Sequence, residues 1–161
     1  MKLKPKGKKG CPFSEPCWKV TPARSLPSFL RALPALVPAG SLLYIESGGA
    51  PPKDLRVFLE ARQVEDDTTI SGGTLLPKPK IYRISITKEN VEGIASIEDR
   101  HPTPIGVIHL HVYRDHTVFL LSYDAFLDPL WISKRIPEDK VKEFCQVLGL
   151  HYTEAVNNDG P

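Results

Sequence analysis

No stretch of the 161-residue sequence approaches the roughly 18 uncharged apolar residues that a membrane-spanning helix needs. Nucleophile and zinc-protease signatures are missing too, with no G-x-S-x-G, no H-E-x-x-H and no C-x-x-C. The absence of Gly-Lys-Ser/Thr and of G-x-G-x-x-G removes the usual marks of nucleotide binding. Three cysteines is an odd number, which excludes a complete disulfide framework. No secretory signal is legible, because the first apolar stretch, Leu26 to Val37, is broken by Arg31 and Pro34. The expectation is a cytoplasmic protein with Cys11 and Cys17 as free thiols, although an oxidising compartment would let these two close a small loop. Cys145 lies on the apolar face of an expected helix and reads as a small buried hydrophobe. There is no internal repeat, the two Ser-Gly-Gly triplets being too short to count as one.

What is present is the composition of a soluble globular domain, 41% hydrophobic and 25% charged, which argues against wholesale disorder. Charge is unevenly spread. Residues 1–20 hold six lysines against one glutamate, whereas residues 21–161 hold 15 basic and 18 acidic side chains. The body is thus mildly acidic, and the basic character belongs to a tail. Residues 1–22, rich in lysine and proline, read as a flexible arm, with Phe13 and Trp18 available to pin it. Residues 23–156 read as a single globular domain and 157–161 as a loose end.

Within that domain Ser25 suits an N-cap, Pro27 a first turn, and Phe29, Leu30, Leu33 and Leu36 a helical stripe that Pro34 should strain or end. Leu42–Ile45 reads as a buried strand and Leu55, Phe58 and Leu59 as the stripe of a second helix. Thr74–Leu76 is a possible short strand in the long connection after that helix. Ile81–Ile86 alternates as a strand does, and Thr87 caps a helix with Val91, Ile94 and Ala95 inward. The clearest β signal is Ile105–Tyr113 and Thr117–Tyr123 about an Arg114-Asp115-His116 turn, with Leu130–Ser133 as a third antiparallel strand. Pro137 opens a last helix whose stripe is Val141, Phe144, Cys145 and Leu148, and Gly149 ends it. Helices between the early strands predict parallel crossovers. The fold class expected is α+β (mixed α/β): one mixed sheet of about four to five strands, an antiparallel meander in its C-terminal half, and about four covering helices.

Three constellations bear chemistry. His109, His111 and Tyr113 alternate along one strand and so share a face, where two imidazoles can ligate a metal or hold an anion. A two-residue turn at Asp115-His116 would set Val118, Leu120 and Ser122 beside them; a three-residue turn would set Thr117, Phe119 and Leu121 there. No third ligand stands at a recognisable spacing, and His101, His116 and His151 converge only if the fold brings them together. The plain alternative is a half-exposed sheet face. Ser47-Gly48-Gly49 before a helix is an anion-cradle pattern, but Pro51 and Pro52 remove donor N–H groups and favour a simple loop. Tyr123, Asp124, Phe126, Asp128 and Trp131 form an acidic and aromatic stretch that suits a protein-binding patch, the alternative being turn and core use.

The tail lysines Lys2, Lys4, Lys6, Lys8 and Lys9 can touch phosphates, yet the body has no basic stripe to continue the contact. Nucleic acid is therefore expected only as a weak electrostatic contact. No cofactor, metal or membrane partner is called for. The function expected is binding to a protein partner without turnover, in the manner of an inhibitor or immunity protein. The alternative is an enzyme, or a small-ligand or metal-binding domain, using the His109/His111/Tyr113 face.

Overall fold

The computed structural model describes residues 10–48, 51–70, 80–101, 107–124 and 127–156. The chain is α+β. In chain order its elements are β1 (Cys17–Val20), α1 (Leu26–Leu36), β2 (Leu42–Ser47), α2 (Lys53–Arg62), β3 (Lys80–Ser85), α3 (Lys88–Asp99), β4 (Val107–Arg114), β5 (Thr117–Ser122), β6 (Leu130–Ser133), α4 (Glu138–Leu148) and β7 (Tyr152–Ala155). The expected caps are in place. The Ser25 hydroxyl accepts the Ser28 N–H at 3.3 Å and the Thr87 hydroxyl the Asn90 N–H at 3.1 Å. Gly149 closes α4 at φ 67°, the left-handed cap that glycine adopts at least cost. Pro34 does not end α1, which runs on to Leu36 before the Val37 N–H returns to Leu33 at 3.1 Å.

Among the described residues the sheet has seven strands in the order β3-β2-β4-β5-β6-β1-β7, not four to five, and every neighbouring pair is antiparallel. The crossover helices are nevertheless real. β3 and β4 are both antiparallel to β2, hence parallel to each other, with α3 joining them and β2 filling the slot between. The same arrangement recurs at the far end, where α4 joins β6 to β7 and β1 fills the slot. These are split β-α-β units, in which an inserted strand turns one parallel relation into two antiparallel ones.

The expectation of a flexible arm over residues 1–22 is corrected for its described part. Cys11, Phe13, Cys17 and Val20 are buried, and Cys17–Val20 pairs on both sides. Cys11 and Cys17 form a disulfide, so the free-thiol expectation that accompanied the cytoplasmic one does not hold for them. Cys145 is free and buried, and burial pushes its thiol up to about 11. Residues 1–9, with the five tail lysines, the Thr74–Leu76 strand and the 157–161 end lie outside the described residues.

The two faces of the sheet carry separate cores. On one, α1, α3 and α4 pack Phe29, Leu33, Ile94 and Phe144 against Leu43, Ile45, Leu110, Val112, Leu120 and Ile132. On the other, Tyr44, Tyr113, Leu121 and Trp131 are covered by Cys11, Phe13 and Ile70. The connection after α2 runs across this second face: Gln63 bridges Ile84, the Val64 N–H donates to Arg83 at 2.8 Å, and the Arg83 guanidinium donates to the Thr68 carbonyl at 2.7 Å. Helix plus extended return makes two traverses, which is why β3 runs opposite to β2.

Candidate functional site

β4 aims His109, His111 and Tyr113 away from the helices, into the second core. The antiparallel register sets Tyr44 opposite His111 and Glu46 opposite His109. On the other side, the hairpin turn has Asp115 at φ 48° and His116 at φ 65°, as a two-residue type I′ turn requires. Pairing starts in that register, Tyr113 opposite Val118, then shifts so that Val112 faces Leu120 and His111 faces Leu121. Phe119 is the extra residue of a bulge. The two-residue register therefore holds only next to the turn; beyond the bulge the pairing follows neither anticipated register, and Leu121, rather than Leu120 or Phe119, stands beside His111.

The outcome is a buried stack. The His109 and His111 rings lie 5.8 Å apart, Tyr44 stacks on His111 at 5.8 Å, and Tyr123 meets both imidazoles edge-on at 5.3 and 4.9 Å. Each Nδ1 accepts a backbone N–H at 3.2 Å, from Ser122 for His111 and from Asp124 for His109. Those bonds assign the proton to Nε2 in the neutral rings. His111 is fully enclosed, and burial, with His109 beside it, pushes its pKa down to about 3. Burial and the nearby Glu46 carboxylate push Tyr123 up to about 12.

Tyr113 donates to Asp66 at 2.6 Å, holding that carboxyl below its ordinary range and raising the phenol, already raised by burial. This contact fastens the 63–70 connection to the sheet. Tyr113→Phe should lower the free energy of unfolding by roughly 1.5–2 kcal/mol, the lower part of the range for a bond to a charged acceptor, because Asp66 is half-exposed. Urea denaturation reads the change, and an unaltered midpoint would show that the bond contributes nothing.

The half-exposed face expected of the histidines is thus a closed core. Trp131, only 8% exposed, belongs to it, with the Lys19 ammonium 5.7 Å from its ring. Asp124 and Asp128 are half-buried at the sheet end; Asp124 sits at φ 54°, its N–H on His109 and its carbonyl accepting from Leu127 at 3.0 Å. Phe126 lies outside the described residues. His101, His116 and His151 do not converge: His101 contacts Asp54 at 3.2 Å, His116 is in the hairpin turn, and the His151 N–H donates to Thr21. Among the described residues no group of three or more His, Cys, Asp or Glu is placed to hold a metal ion. Among the same residues no helix is long and apolar enough to cross a membrane.

Sequence reasoning missed two features. Glu46 and Tyr44 join the histidine cluster from β2, and the period-2 spacing of Leu42, Tyr44 and Glu46 was the signal for it. The other feature is on the helix layer. Between α2 and α3 runs an open groove of about 780 Å³ lined by Val57, Phe58, Ala61 and Ile97, with Lys53, Asp54, Arg62, Arg100 and His101 about it. Gly93 of α3 lies beneath the Phe58 ring. A β-carbon there would stand 2.2 Å from the Phe58 ring, so only glycine lets that ring seat on α3. The Arg62 guanidinium covers the ring at 3.9 Å.

No family model matches the chain, and neither does any curated protein or solved structure.

Proposed function

We propose that this protein is a recognition module that binds another protein without turnover, and that the α2/α3 groove is its contact surface. The observation that carries this is the exposure of apolar surface at a pre-shaped concavity, with Val57 55% exposed. The residues first expected to form the binding surface lend it less support. His109, His111, Tyr113 and Trp131 are buried, and the two Nδ1 atoms and the Tyr113 hydroxyl are bonded inside the molecule. The same enclosure weighs against a ligand or metal pocket on the His109/His111/Tyr113 face. The Cys11–Cys17 disulfide favours an oxidising compartment over the cytoplasm.

Val57→Asp places a charge on the groove at an exposed site, where stability should move by no more than about 0.5 kcal/mol. Val147→Asp, at the 70% exposed position on α4, is the matched control. In gentle purification followed by native mass spectrometry, wild type and Val147→Asp should carry a second protein in stoichiometric amount and Val57→Asp should not. A partner retained by Val57→Asp, or absent from all three, contradicts the proposal.

A further inference from the structure

We infer that His109 is a proton-operated latch: the neutral ring holds the sheet end at Asp124 in its turn, and the protonated ring releases it. The neutral ring accepts the Asp124 N–H on Nδ1 at 3.2 Å. That bond helps to keep Asp124 at φ 54°, a left-handed backbone that a residue with a β-carbon adopts at some cost. From this position the Asp124 carbonyl accepts the Leu127 N–H at 3.0 Å. An imidazolium has two N–H donors and no acceptor, so no tautomer or ring flip of charged His109 can take the Asp124 N–H. Leu127 is 83% exposed, and burial of its side chain therefore does not hold the turn once that bond is gone.

The surroundings decide which ring charges first. Two stacked imidazoles with centres 5.8 Å apart resist a double charge, so the pair takes its protons one at a time. β2 sets Glu46 opposite His109, where a carboxylate favours the charged ring, and sets Tyr44 opposite His111. Burial, with His109 beside it, keeps His111 neutral down to about 3. Of the other titratable groups at this end, Tyr123 is pushed up to about 12 by burial and Glu46 and stays neutral, while Asp124 and Asp128 are further acids. The cover of Phe13, Ile70 and the Cys11 disulfide brings no charge. His109 is thus the first to charge. His111 meanwhile keeps the Ser122 N–H at 3.2 Å, so β5 stays paired while its end is released.

The test is an NMR titration of the isotope-labelled full chain from about pH 8 to about pH 4, the span in which histidines ordinarily charge. It follows the His109 ring and the exchange protection of the Ser122 and Asp124 amides, corrected for intrinsic rates. Protection of Asp124 should fall about tenfold in step with the His109 ring, the effect of one ordinary hydrogen bond, while Ser122 holds its own. His109→Asn keeps an acceptor oxygen in place of Nδ1 and does not titrate, so its Asp124 amide should stay protected throughout. The latch is overturned if the ring titrates with Asp124 protection unchanged, or if it stays neutral across the whole span. Loss at Ser122 together with Asp124, or the same acid loss in His109→Asn, would equally overturn it. Should His109→Asn not fold, the wild-type titration decides by itself.

Discussion

A chain that begins at Ala23 will not fold. β1 pairs with β6 through four residues and with β7 through four more, and among the described residues β7 has no other partner strand. Removing residues 10–22 therefore detaches β7 and uncovers the second core from which Cys11, Phe13 and Cys17 come. Phe13 and Val20 alone, fully buried, are worth about 1.5–3 kcal/mol each, before the two ladders and the disulfide are considered. Set against a total stability of about 5–15 kcal/mol, that loss leaves no native state. Circular dichroism and urea titration of the shortened chain should show no cooperative transition. A normal unfolding curve would restore the reading of residues 1–22 as an arm.

Acid should destabilise the molecule through His111. An unfolded histidine takes up its proton near pH 6.5, whereas the enclosed ring does so only near pH 3. A base with a lowered folded pKa binds more protons unfolded than folded, so stability is complete above about pH 6.5 and declines as pH falls from there toward 3. Between pH 7 and 4.5 the loss should be about 2–3 kcal/mol, two pH units below the unfolded pKa at about 1.4 kcal/mol each. His111→Gln offers an acceptor to the Ser122 N–H without titrating, so its stability should fall far less over that range. Equal pH slopes for wild type and His111→Gln, from denaturant midpoints at each pH, would contradict this account of the buried ring.

The parts of the fold that were legible are those specified locally. The caps at Ser25 and Thr87, the α4 stripe ending at Gly149, and the β4–β5 hairpin each declare themselves within a dozen residues. β1 did not. Cys17-Trp18-Lys19-Val20 is four residues long, lies among prolines, and becomes a strand only because β6 and β7, more than 100 residues later, leave a slot for it. Strand direction was misjudged for a related reason: α3 and α4 do join parallel strands, but inserted strands separate them.

The histidine cluster was legible as a shared face, since period-2 geometry needs no tertiary information. Its burial was not, because Phe13, Cys11 and Ile70 cover it from distant segments. The bulge at Phe119, which decides the neighbours of His111, has no mark in the run of four apolar residues Val118–Leu121, which fits either register equally well. The groove depends on Gly93 meeting Phe58, a contact between two helices that neither helix announces.

Hydrogen–deuterium exchange on the protein alone and in complex with its co-purified partner tests the central claim most directly. The account predicts that binding slows exchange in residues 53–62 and 91–100 and leaves β4, β5 and β6 unchanged. Protection confined to the sheet end around Asp124 and Asp128, with α2 and α3 exchanging as in the free protein, would contradict it.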